Sequence, residues 1–134
     1  MITKLNADTF NEVYEHNGPV VVAFSATWCA PCRAFQPNLE KLAETGVKVV
    51  KVDITESPEL AAHFAINTIP TTVFFAGGEP KLVVNGARSV ENLQELIDEA
   101  VQSGQTETPK PINTFWNKVL NRVRNMFASV LTGV

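Results

Sequence analysis

Val20-Val21-Val22-Ala23-Phe24-Ser25-Ala26-Thr27-Trp28-Cys29-Ala30-Pro31-Cys32 is the stretch whose reading decides the fold. Val20 to Phe24 is an uninterrupted, β-branched apolar run, as expected of a buried strand. Directly after it come both cysteines of the chain, separated by two residues. Such a pair can close a disulfide only if the backbone bends between them, and the first turn of a helix supplies that bend. If Cys29 opens the helix, its sulfur faces unpaired backbone N–H groups and the positive end of the macrodipole. Both favour thiolate over thiol, so Cys29 is expected to have a lowered pKa and to be the nucleophile. Cys32, one turn further on, is then the resolving thiol. Pro31 presets a helical φ near the helix start, where a missing N–H is tolerated, and Ala30 favours continued helix. A purely structural disulfide is disfavoured because so short a loop removes little entropy from the unfolded chain. Zinc takes about four ligands. Beyond the cysteines there are only His16 and His63, neither spaced like a finger ligand, so no metal is expected. A redox pair is the reading that remains.

Working outward, Val47 to Val52 is a second β-branched run, partly alternating. Thr71 to Phe75 and Lys81 to Val84 flank Gly77-Gly78 and read as an antiparallel hairpin. Helical patterns cover Ala34 to Glu44, Ser57 to Phe64 with Pro58 at its first position, and Val90 to Val101 after Ser89 as cap. Strands separated by helices imply an α/β fold, a central sheet covered on both faces.

The segment from Phe24 to Cys32 resembles the active-site segment of the thioredoxin family. Further landmarks agree in order and spacing: Pro37 in the second helix, Lys51-Val52-Asp53-Ile54 in the third strand, Thr68-Ile69-Pro70-Thr71 at the cis-proline loop, the Gly77-Gly78-Glu79 turn, and Asn85-Gly86-Ala87 beside the active site. The likeness spans about residues 1–103. It implies the thioredoxin fold, a central mixed sheet flanked by helices, and dithiol–disulfide exchange with protein substrates. By the same resemblance Pro70 is cis and Lys51 supports the site. Trp28, Ile54, Ile69, Pro70, Gly86 and Ala87 line the substrate groove, and a flavoprotein thioredoxin reductase recharges the dithiol. No cofactor is expected. One position departs from the family: a buried aspartate usually precedes the active site in its strand, and Ala23 stands there. That carboxylate assists proton transfer to and from the resolving thiol. Lys51 then lacks its acidic partner. Two readings follow: an exchanger that resolves mixed disulfides slowly, or a site where Ala23 packs and water does the aspartate's work.

Residues 1–103 carry seven Lys and Arg against thirteen Asp and Glu, whereas residues 104–134 carry four basic residues against Glu107 alone. An acidic domain precedes a basic tail. Residues 104–110 read as a polar linker. In 111–134, Phe115, Trp116, Val119, Leu120, Val123, Met126, Phe127, Val130 and Leu131 recur at helical spacing, with Lys118, Arg122 and Arg124 opposite. This stretch is expected to be a basic amphipathic helix, added beyond the end of ordinary family members. Its apolar face needs a cover: its own domain or a second copy, a groove on a protein partner, or an anionic membrane surface. Basic residues opposite aromatics favour the membrane. Nucleic acid is a poor candidate for an acidic domain with few tail cations. With no charged, then apolar, leader before Leu5, the expected location is the cytoplasm, peripheral at the inner membrane face.

Two functions of different class fit these residues. One is a protein-disulfide reductase. The other is a binding module or scaffold on the same fold, its added helix docking a partner or driving self-association.

Overall fold

The computed structural model describes residues 2–103. In chain order the elements are β1 (Thr3–Lys4), α1 (Asn11–Glu15), β2 (Pro19–Ser25), α2 (Ala30–Glu44), β3 (Lys48–Asp53), α3 (Pro58–His63), β4 (Thr71–Ala76), β5 (Glu79–Asn85) and α4 (Val90–Ser103). They form one five-stranded sheet in the order β1-β3-β2-β4-β5. β1, β3 and β2 run parallel, while β4 is antiparallel to both β2 and β5. The mixed sheet expected from the sequence is present.

Strand parity explains why the Val20 to Phe24 run has no polar side. Val20, Val22 and Phe24 pack with Val50, Val52, Val73 and Phe75, and this layer is covered by Val13 of α1 and Leu60 of α3. Val21 and Ala23 point the other way, to Val49, Phe74, Phe35, Leu39 and Leu42 of α2, and Leu93 and Ile97 of α4. A strand with helices over both faces must be apolar at every position. The first layer is aromatic: Phe10 lies 5.4 Å from Phe64 and 6.0 Å from Phe75, ring centre to ring centre.

Each helix that bears on the site has a local cause. In α2, Phe35, Leu39 and Leu42 recur at a spacing of four and three, a stripe that meets the sheet. The helix runs through Pro37, whose missing N–H forgoes one intrahelical bond. Ser89 caps α4 by accepting from the Asn92 N–H at 3.1 Å. Gly77 and Gly78 both hold positive φ, +62° and +80°, as the tight hairpin between β4 and β5 demands. A Cβ at Gly78 would also strike the backbone carbonyl of Tyr14, so this turn is doubly specified.

The helix start expected at Cys29 is present, with α2 running from Ala30, and the structure adds β1 and α1, which the sequence patterns did not single out. The expected linker at 104–110 and the basic helix at 111–134 lie outside the described residues. No helix among the described residues is long and apolar enough to cross a membrane.

Candidate functional site

Cys29 ends the chain's passage out of β2 and caps α2. Its backbone is extended, with φ −93° and ψ 110°, and its Sγ accepts from the Cys32 N–H at 3.3 Å. One of the orphan donors of the helix start is thereby aimed at the sulfur. Cys29 and Cys32 are joined as a disulfide, with Cα atoms 5.3 Å apart, inside the range such a bond requires. Ala30 and Pro31 form the exposed first turn between them. The Cys29 N–H donates back to the Ala26 carbonyl at 3.2 Å, and Arg33 donates to the Thr27 carbonyl at 2.7 Å, so the loop from β2 is tied at both ends.

Each cysteine is only 6% exposed, so accessibility does not separate their roles. Surroundings do. Ala26 and both cysteines form a small cluster against which Ile54 and Ile69 pack. Trp28 is 65% exposed and steadied by donation from its Nε1 to Thr55 Oγ1 at 3.0 Å. The Ile69–Pro70 peptide is cis. The Pro70 carbonyl accepts from the Gly86 N–H at 2.8 Å, and Thr71 Oγ1 donates to the Thr68 carbonyl at 2.6 Å. Asn38 of α2 donates to the Arg88 carbonyl at 3.0 Å, which holds the Gly86-Ala87-Arg88 loop beside the helix. Trp28, Ile54, Ile69, Pro70 and Gly86 are thus assembled from loops distant in sequence.

On the other side of the dithiol lies a cavity of about 350 Å³. Of the two cysteines, Cys32 lines it, with Lys51, Asp53, Arg33, Gln36 and Lys4. Lys51 Nζ stands 3.5 Å from Gln36 Oε1. Lys4 pairs with Glu56 at 2.9 Å, and Glu56, by hydrogen bond and then by charge, holds this exposed ammonium above the usual lysine range. Asp53 is 5% exposed, and its Oδ1 accepts from the Thr55 and Glu56 N–H groups at 2.8 and 3.2 Å. Ala23 is paired with Lys51 on one side and Thr72 on the other. Thr72 Oγ1 is buried and has no hydrogen-bond partner among the described residues. Asp53, Arg33 and Thr55 were not singled out from sequence as site residues. Parity within Val49, Lys51 and Asp53, which places all three on the α2 face, is the signal that finds the first.

A dithiol at a helix start, between a cis-proline loop and a cavity lined by charged residues, is an arrangement for sulfur exchange. The thioredoxin family model matches residues 1–99. The chain belongs to the thioredoxin family. Thioredoxin of Staphylococcus haemolyticus is 39% identical over 100 residues, covering 72% of this chain and 95% of that protein. The bifunctional thioredoxin reductase/thioredoxin of Mycobacterium leprae is 38% identical over 97 residues, 69% of this chain and 21% of that protein. Among solved structures, a mutant thioredoxin from Halobacterium salinarum aligns with a TM-score of 0.69 and 33% identity over 74% of this chain and 89% of that one. With its Cys29–Cys32 pair, this thioredoxin domain is a thiol–disulfide oxidoreductase.

Proposed function

We propose that the protein reduces disulfides of other proteins, with Cys29 as nucleophile and Cys32 as resolving thiol. The observation that carries the assignment is the position of Cys29 Sγ at the start of α2, accepting the Cys32 N–H. A thiolate there gains a hydrogen bond and the positive end of the helix, whereas Cys32 sits inside the first turn. Cys29 thiolate attacks a substrate disulfide, forming a mixed disulfide and releasing one substrate thiolate. Cys32 thiolate then attacks Cys29 Sγ, the bond to the substrate breaks, and the second substrate thiolate leaves with that electron pair. The substrate chain lies along Trp28, Ile54, Ile69, Pro70, Gly86 and Ala87. Two electrons from a thioredoxin reductase reopen the Cys29–Cys32 bond. The fused reductase and thioredoxin of Mycobacterium leprae supports such a partner. Turbidimetric insulin reduction with dithiothreitol as reductant tests the activity: wild type accelerates precipitation. Parity with the uncatalysed rate would favour the scaffold reading instead.

The tail at 111–134 attaches this cytoplasmic enzyme to the inner, anionic membrane face. Its net basic charge and the stripe through Phe115, Trp116, Val119, Leu120, Val123, Met126, Phe127, Val130 and Leu131 support that reading. Full-length protein is expected to float with anionic vesicles and a chain ending at Gln102 to stay behind. Salt weakens flotation by screening the charge contribution while leaving the apolar one. In a Trp28→Phe background, Trp116 emission shifts to the blue on vesicle addition. If the full chain stays behind and runs as a dimer, the stripe is a protein–protein surface.

A further inference from the structure

Strand parity and register bring a set of polar side chains under the dithiol that the exchange chemistry described so far leaves unused. Ala23 pairs with Lys51 and Ser25 with Asp53 across β2 and β3, while Lys4 pairs with Lys51 across β1 and β3. Side chains alternate along a strand, so all five residues lie on the face covered by α2. Ala23 contributes no acid there. Asp53 does, and it lines the same cavity of about 350 Å³ as Cys32. A water takes about 30 Å³ of liquid volume, so the space has room for a bridging chain of them between the polar groups that line it.

We propose that Asp53 is the proton acceptor for the Cys32 thiol, reached through water in this cavity. The proposal rests on Cys32 being the resolving thiol. Asp53 is suited by its surroundings. Both of its hydrogen bonds from the backbone fall on Oδ1 and fix the carboxylate in place, which leaves Oδ2 for the cavity. The charged groups facing it come from three elements and a loop: Lys4 from β1, Lys51 from β3, Arg33 from α2, and Glu56 from the loop after β3, held by Lys4 at 2.9 Å. These cations surround the space between Asp53 and Cys32 in which the proton is to move. In the step, the Cys32 S–H bond breaks, its proton passes through water to Asp53 Oδ2, and the sulfur lone pair attacks Cys29 Sγ. The Cys29–substrate bond breaks and the substrate thiolate leaves with that electron pair. Exposed Lys4 and Arg33 open the cavity to bulk water, to which Asp53 returns the proton.

Asp53 also closes the turn at Thr55 and Glu56, so the test must separate that duty from proton transfer. Asp53→Asn keeps an Oδ1 acceptor for the turn and removes the base. Asp53→Ser, whose hydroxyl closes similar turns, does so through a different side chain. Reduced protein is mixed with excess aromatic disulfide in a stopped-flow instrument. The first aromatic thiolate released reports attack by Cys29 and the second reports attack by Cys32. Both variants are expected to slow the second phase at least tenfold at pH 7, a modest share of the usual general-base contribution. The first phase should stay within about twofold. The pH profile of the second phase should also shift upward, toward the free-thiol range. An unchanged second phase and profile overturns the proposal. So does equal slowing of both phases, which would mark Asp53 as structural. Wild type that releases both thiolates yet fails to reduce insulin would refute the protein-substrate reading, a different failure.

Discussion

The two cysteines of the dithiol are equally buried, yet they look into unlike surroundings. On one side, Ile54, Ile69 and the exposed Trp28 make an apolar, partly open groove. On the other, Cys32 meets a cavity lined also by the charged residues Lys51, Arg33 and Asp53. The contrast has a chemical reason. Attack on an incoming chain needs surface that accommodates varied side chains, and a thiolate made ready by the helix start. Resolution needs no new contact, only the timely loss of one proton. A single turn of helix divides these demands because residues three apart lie on one face but a turn apart along the axis.

The largest effect that can break this division comes from the cysteines themselves. Cys29→Ser is expected to abolish disulfide reduction, whereas Cys32→Ser retains attack and accumulates substrate as a mixed disulfide on non-reducing gels. An adduct through Cys32 in the Cys29→Ser protein would reverse the roles.

Next in size is Ala23→Asp. It adds a second carboxyl on the cavity side, opposite Lys51 and within reach of the unpartnered Thr72 hydroxyl. Resolution near neutral pH should quicken severalfold, and burial of the polar group should cost about 1–3 kcal/mol in urea unfolding. Stopped-flow traces of the second phase decide it, and an unchanged rate means that the present acceptor already suffices.

Thr72→Val is smaller and of opposite sign. It removes a buried hydroxyl that has no partner among the described residues while keeping shape, so stability should be unchanged or rise by about 1 kcal/mol. Combined with Ala23→Asp it should lose that advantage, and a double-mutant cycle reads the coupling.

Smallest is Trp28→Phe on the groove side. It deletes the Nε1 bond to Thr55, both partners being exposed, so the unfolding midpoint should hold. KM for a protein disulfide should rise a few-fold with kcat retained if, as proposed, the ring lies against the substrate chain and not the reacting proton.

These two sides were not equally legible in the sequence. The groove could be anticipated because its parts sit at local signals: Cys-x-x-Cys after an apolar run, Ile69-Pro70, and Gly86. The sheet was legible for a similar reason, since long β-branched runs and a Gly-Gly turn announce themselves. β1 and α1 are two and five residues long, too short for periodicity to register, and they form because Leu5, Phe10 and Val13 are buried in the core. The cavity was hidden for another reason. Lys51 and Asp53 read as parts of a strand, and their meeting with Cys32 depends on register between strands and on which face α2 covers. Only the assembled sheet supplies that. Ala23 was conspicuous from resemblance alone, but its cross-strand neighbour Thr72 was not.

The ends of the sheet have a bearing on solubility. β1 is only two residues long, and β5, at the opposite edge, carries Pro80 and Lys81 beside a register shift between Phe74 and Phe75. A short strand, a proline, a charge and a bulge are the devices that keep a bare edge from recruiting another chain. Both edges of the sheet therefore offer a passing chain little template for runaway strand pairing.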